Sequence, residues 1–292
     1  MDDLQPVPRK PRNRASIVTK RSEQASVSGS EDGPVQTLNR VELGRFVPDY
    51  EYRYRHYLLR FAKCSDDVER LCRLRYDVFN LELGEGLKSS VATGIDRDEY
   101  DEQCEHLMVI DTRNDEVVGT YRLQVRESAD KGHGFYSATE FDFSALSSEM
   151  LDGTVELGRA CTARRHRSRT VLDMLWRGIM TYLYFNKRRY LLGCSSLTSQ
   201  DPALGLATYQ RLTELGHQHP TLLVKPMPDY VCETSEPCTT AVKIPRLFSL
   251  YLRLGVTVCG PPALDREFGT IDFLTLLDTQ TVDQTVLGNL TS

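Results

Sequence analysis

Between residues 155 and 194 the hydrophobic period of the chain changes twice, and that restricts the fold more than any other feature. Val155-Glu-Leu-Gly-Arg-Ala-Cys161 alternates as a strand does. From about Thr170 to Arg188, Leu172, Leu175, Trp176, Ile179 and Leu183 recur at helical spacing and give a long helix one apolar face. Lys187, Arg188 and Arg189 mark its end, with charges that suit the negative helix terminus. Tyr190-Leu-Leu-Gly-Cys194 then reads as a buried strand. A strand, a long one-faced helix and a second strand require a sheet with helices laid on it.

The flanking sequence extends this pattern. Tyr57 to Ala62 reads as a strand, and Ser65 as the N-cap of a helix whose first turn carries Asp66 and Asp67. That helix places Val68, Leu71, Cys72, Val78 and Phe79 on one stripe. Arg75 falls on the same stripe, where a buried arginine needs a carboxylate, from the protein or from a substrate. Arg73 lies off the stripe and can pair with Asp77. Leu107 to Asp111 and Gly119 to Val125 form a hairpin across Arg113-Asn-Asp115. Residues 135 to 151 are irregular and rich in Phe and Tyr, 202 to 215 form a short helix, and 222 to 278 alternate short strands with Pro and Gly turns. Helices interleaved with a largely antiparallel sheet make the fold α/β, or α+β by a stricter definition.

Composition sets the boundaries. A net charge of −5 argues against a general nucleic-acid binder. The eight cysteines show no CxxC or Cys/His spacing suited to zinc, so reduced core thiols are expected, Cys161 and Cys194 among them, and no metal. No apolar run approaches a membrane span and the start lacks a signal-peptide core, so a soluble cytoplasmic protein is expected. Residues 1–46 read as a disordered, polar tail, basic in its first part through Arg9, Lys10, Arg12, Arg14, Lys20 and Arg21. Such a tail suits anionic lipid, an acidic partner, or solubility alone. Residues 47–280 are expected to form one domain and 281–292 a flexible end.

The chemistry-bearing residues lie near the central unit. Ile95-Asp-Arg-Asp-Glu-Tyr-Asp101 gathers Asp96, Asp98 and Asp101 ahead of the strand at Leu107, acids expected to hold the cationic side chain of an acceptor. Strict alternation points Glu156 and Arg159 to opposite faces, and a bulge at Gly158 would bring them to one side. Glu156 could then take a proton from a substrate ammonium while Arg159 holds a carboxylate; the bland alternative is a structural salt bridge under a helix. Carboxylate, arginine and acid cluster together suit acylation of a zwitterionic amine. Arg164, Arg165, Arg167, Ser168 and Arg169 lead into the long helix, where free N–H groups and positive charge could receive a phosphopantetheine arm or an acidic carrier protein. The same run could be no more than a solvated charge cluster. Asp272 interrupts an apolar strand face shared by Leu274 and Leu276, as a site residue or as a bonded core acid. His106 and Asp111 match an HxxxxD spacing, but in a strand they face opposite ways.

These residues carry a family resemblance. Leu74-Arg-Tyr-Asp-Val-Phe79, the three aspartates, Gly119-Thr-Tyr-Arg-Leu123 and Glu156-Leu-Gly-Arg159 resemble the acyl-homoserine lactone synthases. Cys104-Glu-His-Leu107, Gly193-Cys-Ser-Ser196, Tyr251 to Pro262 and Asp265 to Phe273 resemble more closely the bacterial ornithine lipid synthases, the L-ornithine N-alpha-acyltransferases of the hemolysin-like GNAT group. The resemblance covers about residues 57 to 280. It implies a GNAT-like mixed, mostly antiparallel sheet flanked by helices with a C-terminal extension, and it implies the bulge beside Glu156. It implies transfer of a 3-hydroxyacyl chain from acyl carrier protein to the alpha-amine of ornithine. No tightly bound cofactor is implied, the carrier's phosphopantetheine thioester being the donor. Arg75, Phe79, Asp98, Asp101, Arg122, Glu156 and Arg159 match site residues of the autoinducer enzymes. The glycines of the usual GNAT pyrophosphate loop are absent at 164–170, which speaks against ordinary acetyl-CoA use. Because the implied product is a lipid, peripheral contact with the inner membrane is expected. Acylation of another amino acid, homoserine lactone formation and a non-catalytic GNAT-like lipid-binding role are the alternatives.

Overall fold

The structure is a computed structural model, and it describes residues 46–282. Apart from Phe46, Thr281 and Val282, both expected terminal segments lie outside the described residues. Val282 is buried against the core.

Nine strands make one sheet among the described residues. In chain order they are β1 (Glu51–Tyr54), β2 (Tyr57–Phe61), β3 (Glu105–Asp111), β4 (Glu116–Val125), β5 (Thr154–Thr162), β6 (Tyr190–Leu197), β7 (Thr257–Val258), β8 (Ala263–Asp265) and β9 (Thr270–Asp278). The spatial order is β1-β2-β3-β4-β5-β6-β9-β7, with β8 on β9. Among these strand pairs only β5 and β6 run parallel. The principal helices are α1 (Ser65–Tyr76), α2 (Arg169–Phe185), α3 (Pro202–Glu214) and α4 (Arg246–Arg253). This is the mixed, mostly antiparallel sheet flanked by helices that the resemblance implied.

Alternation on the central strands assigns the two faces. Leu59, Leu107 and Val109 pack with Val171, Leu175, Ile179 and Leu183 of α2. Leu58, Met108 and Ile110 pack with Leu71, Cys72 and Leu74 of α1. Covered on both sides, β3 is buried along its whole length. Burial of Leu175, Ile179 and Leu183 contributes roughly 1.5–3 kcal/mol each.

Several local expectations shift. Cys64, not Ser65, is the N-cap of α1, without a side-chain bond. Asp67 instead accepts from the Lys63 N–H at 2.8 Å and grips the Arg60 guanidinium at 2.6 and 2.7 Å. Arg73 pairs back to Glu69 at 2.6 Å rather than forward to Asp77. α2 stops at Phe185, and the arginines beyond it serve other elements: Arg188 pairs with Glu127, and Arg189 with Asp278. The C-terminal third is less strand-like than expected, because α4 follows Pro245 and β9 is a single long strand. Phe248 and Leu252 bury the inner face of α4, and Tyr251 ties it to β4 through a hydrogen bond with the Tyr121 hydroxyl. Among the described residues no helix is long and apolar enough to cross a membrane.

Two irregularities open a space in this sheet. α1 continues into a π-helical turn, Asp77–Leu83, closed by Gly84 at φ +70°; such turns are frequent at functional sites. β5 and β6 pair only from Thr154 to Glu156 against Tyr190 to Leu192 and then part. At the fork the chains press together, for a Cβ on Gly193 would lie 2.2 Å from the Leu157 carbonyl oxygen.

Candidate active site

β5 is bulged where it faces the cavity at this fork. Arg122 stands opposite Gly158 and Thr120 opposite Cys161, so Arg159 and Ala160 together face Tyr121. The strain falls on Arg159, whose φ is +48°, and not on Gly158 as the sequence suggested. The expected consequence follows all the same: Glu156 and Arg159 line one cavity of about 290 Å³.

Arg159 enters a buried lattice of arginines and aspartates. Arg75 donates from Nε to Asp96 at 2.8 Å and from both terminal nitrogens to Asp101 at 2.6 and 3.1 Å. Arg122 donates to Asp98 and, at 3.2 Å, to Asp101. Arg159 reaches Asp98 at 2.8 Å and lies 3.4 Å from Asp96. The acids are presented by a short 3₁₀ helix, Glu99–Glu102, whose N-cap Asp98 forms a capping box with Asp101. Burial raises the Asp101 carboxyl, but Arg75, Arg122 and His106 outweigh it and hold it well below the usual carboxylate range. Burial likewise disfavours the charge on Arg75, and Asp101 and Asp96 more than restore it. Three aspartates thus meet three arginines.

The lattice has two depths. Arg75 and Asp96 are fully buried and Asp101 nearly so, away from the cavity. Arg122 and Arg159 line the cavity, and Asp98 lines an adjoining cleft with Arg159 and Tyr136. The Tyr136 ring lies 5.3 Å from the Arg122 guanidinium and 5.0 Å from that of Arg159, and the Phe268 ring 4.5 Å from the latter.

Glu156 is 4% exposed, and three N–H donors converge on its carboxylate: Tyr136 N at 3.0 Å, Ser137 N at 2.7 Å and the Gln124 side-chain amide. It therefore fastens the 135–139 loop, and with it Tyr136, to the sheet. Beyond these polar groups the cavity wall is apolar, built by Phe79 and Leu83 of the π-helical turn, Phe268, and Leu247, Phe248 and Tyr251 of α4.

Asp272 is both a cavity residue and a buried acid. It is 4% exposed, and its carboxyl lies with those of Glu140 and Asp265, one oxygen of each within 4.8 Å of the others. Burial pushes Asp272 up to about 6, and burial with the charges of Asp272 and Asp265 holds Glu140 well above the carboxylate range. Sequence reading missed Glu140, Asp265, Glu85, Gln124 and Tyr136. Gln124 was accessible, two residues from Arg122 on one strand face. The others sit in loops and a three-residue strand, where no period marks them.

The basic run at α2 does not join the cavity. Ser168 caps α2 by accepting from Val171 N at 3.4 Å. Arg167 grips Glu82 at 2.6 and 2.8 Å, and Arg169 pairs with Asp173. Arg164 and Arg165 are exposed, with no ion pair among the described residues. His106 and Asp111 diverge as expected: His106 bonds the Asp101 carbonyl at 2.9 Å, and Asp111 pairs with Arg113. Cys161 is buried and Cys194 half-buried, and burial pushes both thiols up.

Residues 74–177 match the acetyltransferase (GNAT) domain family. An L-ornithine N(alpha)-acyltransferase of Rhodobacter capsulatus is 32% identical over 78% of this chain and 92% of its own. One from Brucella abortus is 31% identical over 75% of this chain and 83% of its own. Among solved structures, FeeM, an N-acyl amino acid synthase from uncultured soil microbes, is 10% identical with a TM-score of 0.48, over 78% of this chain and 95% of that one.

Proposed function

The chain belongs to the L-ornithine N(alpha)-acyltransferase family, and we propose that it moves a 3-hydroxyacyl chain from acyl carrier protein to the α-amine of ornithine. The product is a lyso-ornithine lipid. The observation that carries this reading is a single cavity walled on one side by Arg122, Glu156 and Arg159 and on another by apolar side chains, opening where β5 and β6 part. Such a cavity suits an acceptor that is a zwitterion and a donor that ends in a hydrocarbon chain.

In the proposed reaction the α-amine attacks the thioester carbonyl directly, without a covalent enzyme intermediate. The C–N bond forms, the C–S bond breaks, and the carrier's pantetheine leaves as the thiol. The ammonium must first lose a proton, since only the neutral amine has a lone pair to donate. Glu156 accepts three N–H bonds and keeps one lone-pair direction free, enough to take that proton directly or through water. Arg122 and Arg159 receive the acceptor's carboxylate. Arg75, Asp96 and Asp101 act one layer behind, positioning those two arginines and Asp98, while Phe79 belongs to the apolar wall. Arg164 and Arg165 meet the acidic carrier at the mouth of α2, with Arg167, Ser168 and Arg169 shaping that surface. The domain responsible is residues 47–280, and because the product is a lipid we place the protein at the membrane periphery, a contact that liposome flotation would detect.

The test is incubation of the purified protein with 3-hydroxyacyl carrier protein and a panel of amino acids, with products read by mass spectrometry. An ornithine adduct is expected. An adduct on another amino acid refutes the acceptor, and no adduct beside an active control enzyme refutes the reaction. Glu156→Gln should lower the transfer rate at least tenfold; a near wild-type rate removes Glu156 from proton transfer.

A further inference from the structure

We propose, resting on that acyltransfer reading, that the side-chain ammonium of the acceptor is held by a carboxylate pole made of Glu85, Glu140, Asp265 and Asp272. The acids of the 96–101 run are engaged already. Asp96, Asp98 and Asp101 each meet two of the three arginines Arg75, Arg122 and Arg159. A substrate cation there would have to displace a guanidinium from a buried pair. The pole is the opposite case, since no Lys or Arg forms an ion pair with any of its members among the described residues.

Its hydrogen bonds are also incomplete. Asp265 accepts from the Glu267 and Phe268 N–H groups at 2.9 Å each, and these hold it toward the cavity. Asp272 accepts from the Thr270 hydroxyl through one oxygen at 3.1 Å, while its other oxygen has no partner. One oxygen of Glu140 and one of Glu85 are likewise buried and unpartnered. Glu85 stands outside the close cluster of three, yet it lines the same cavity and feels the charge of Asp272. Buried carboxyls cannot all stay ionised this close without a cation between them. Burial and the neighbouring carboxylates hold Glu140 well above the carboxylate range and raise Asp272 to about 6, the cost of gathering acids with no cation among them.

A second, separate vacancy points to the same ligand. The Nη2 of Arg122, a residue 3% exposed, has no acceptor, and Arg122 lines this cavity too. One wall therefore offers a spare cationic donor and another offers spare anionic acceptors. An amino acid with a terminal amine on its side chain satisfies both, carboxylate to arginine and ammonium to the pole. A neutral side chain would leave the buried carboxylates unanswered, which is how a polar site rejects an analogue that lacks the polar group. A divalent metal would bind by the same oxygens, and the test separates it from an ammonium.

The experiment compares ornithine with norvaline, which has the same carbon chain and no δ-amine. With the full chain and the carrier-protein donor, kcat/KM should favour ornithine at least 50-fold. Asp272→Asn and Asp265→Asn should each cut that preference at least tenfold, chiefly through KM for ornithine. Equal losses with both acceptors, or an unchanged preference, would overturn the pole as the ammonium site while leaving ornithine acylation standing. Calorimetric titration of the wild-type chain gives a readout independent of turnover and of whether the variants fold. Ornithine should bind and norvaline bind at least tenfold more weakly; equal affinities refute the proposal. If ornithine binds selectively but is not acylated, the pole stands and the acyltransfer reading falls. If Mg²⁺, Ca²⁺ or Mn²⁺ stabilises the protein and a chelator abolishes activity with both acceptors, the pole holds a metal and the proposal fails.

Discussion

Replacing Asp101 with Asn tests whether the lattice behind the cavity is a charge-balanced unit. The side chain keeps its shape but loses its charge, leaving three arginines against two aspartates in a region where Arg75 and Asp96 are fully buried. Asp101 accepts from Arg75 at 2.6 and 3.1 Å, from Arg122 at 3.2 Å, and from the Asp98 N–H at 2.9 Å. An amide has one acceptor oxygen for four donors, and its NH₂ group would face a guanidinium. Removing one partner of a buried ion pair costs roughly 3–5 kcal/mol, because the other charge is left without compensation. In a domain of this size about 1 kcal/mol moves Tm by roughly 2–4 °C, so the variant should melt roughly 6–20 °C lower. Urea unfolding should show a lower midpoint at an unchanged slope.

The pH dependence of that difference has a definite sign. The folded-state Asp101 carboxyl lies well below its ordinary value, so its stabilisation is fully present above the unfolded value of about 3.9 and is lost as pH falls toward the folded one. The gap between wild type and Asp101→Asn should therefore be flat from about pH 5 to 8 and close only in acid. A gap below about 1 kcal/mol at pH 7 would mean that water or rearrangement compensates the arginines. The two-tier account of the site would then fail.

Other outcomes follow from single residues. Burial alone pushes Glu105, which is 6% exposed, up to about 8, so the wild type loses stability as pH rises from about 4.5 toward 8. Glu105→Gln should gain roughly 3–5 kcal/mol on it by pH 9, read by chemical unfolding across that range. Gly193→Ala drives a Cβ to within 2.2 Å of the Leu157 carbonyl oxygen and should cost about 1–3 kcal/mol together with most of the activity; unchanged melting would show that the fork can widen freely. Reversing Arg164 and Arg165 to Glu should raise KM for the carrier-protein donor at least tenfold at low salt, an effect that fades as salt is added. A salt-independent KM would place the carrier elsewhere.

What the sequence disclosed divides along physical lines. α2 was legible because five apolar residues at helical spacing outvote local noise, β4 because its alternation is long, and β3 because it is an unbroken apolar run. α4 was not, for its buried face rests on Phe248 and Leu252 alone, within eight residues of a Pro- and Gly-rich stretch. The bulge was expected at Gly158 because glycine adopts positive φ without cost, yet Arg159 takes it. Its guanidinium, held by Asp98 and Asp96, offsets a strain that backbone preference alone would have refused.

Arg75 is the most telling residue, since an arginine on an apolar stripe announces that a carboxylate must come to it. Nothing local announces which one, because Asp96 and Asp101 lie 21 and 26 residues away and return only through the folded loop. The acid run therefore reads in sequence as negative charge waiting for a cation, although its charges are already met. Glu140 and Asp265 carry no such flag, yet among the described residues no arginine forms an ion pair with either. A site's charge preference is set by what remains after internal pairing, and internal pairing is a tertiary property. For this cavity the remainder is Nη2 of Arg122 and Nε of Arg159 on one wall and unpartnered oxygens of Asp272 and Glu85 on another, with one of Glu140 in the cluster around Asp272. An acceptor that answers only one wall leaves buried charge without a partner on the other, at a cost of a few kcal/mol, and that difference is large enough to decide which amino acid is acylated.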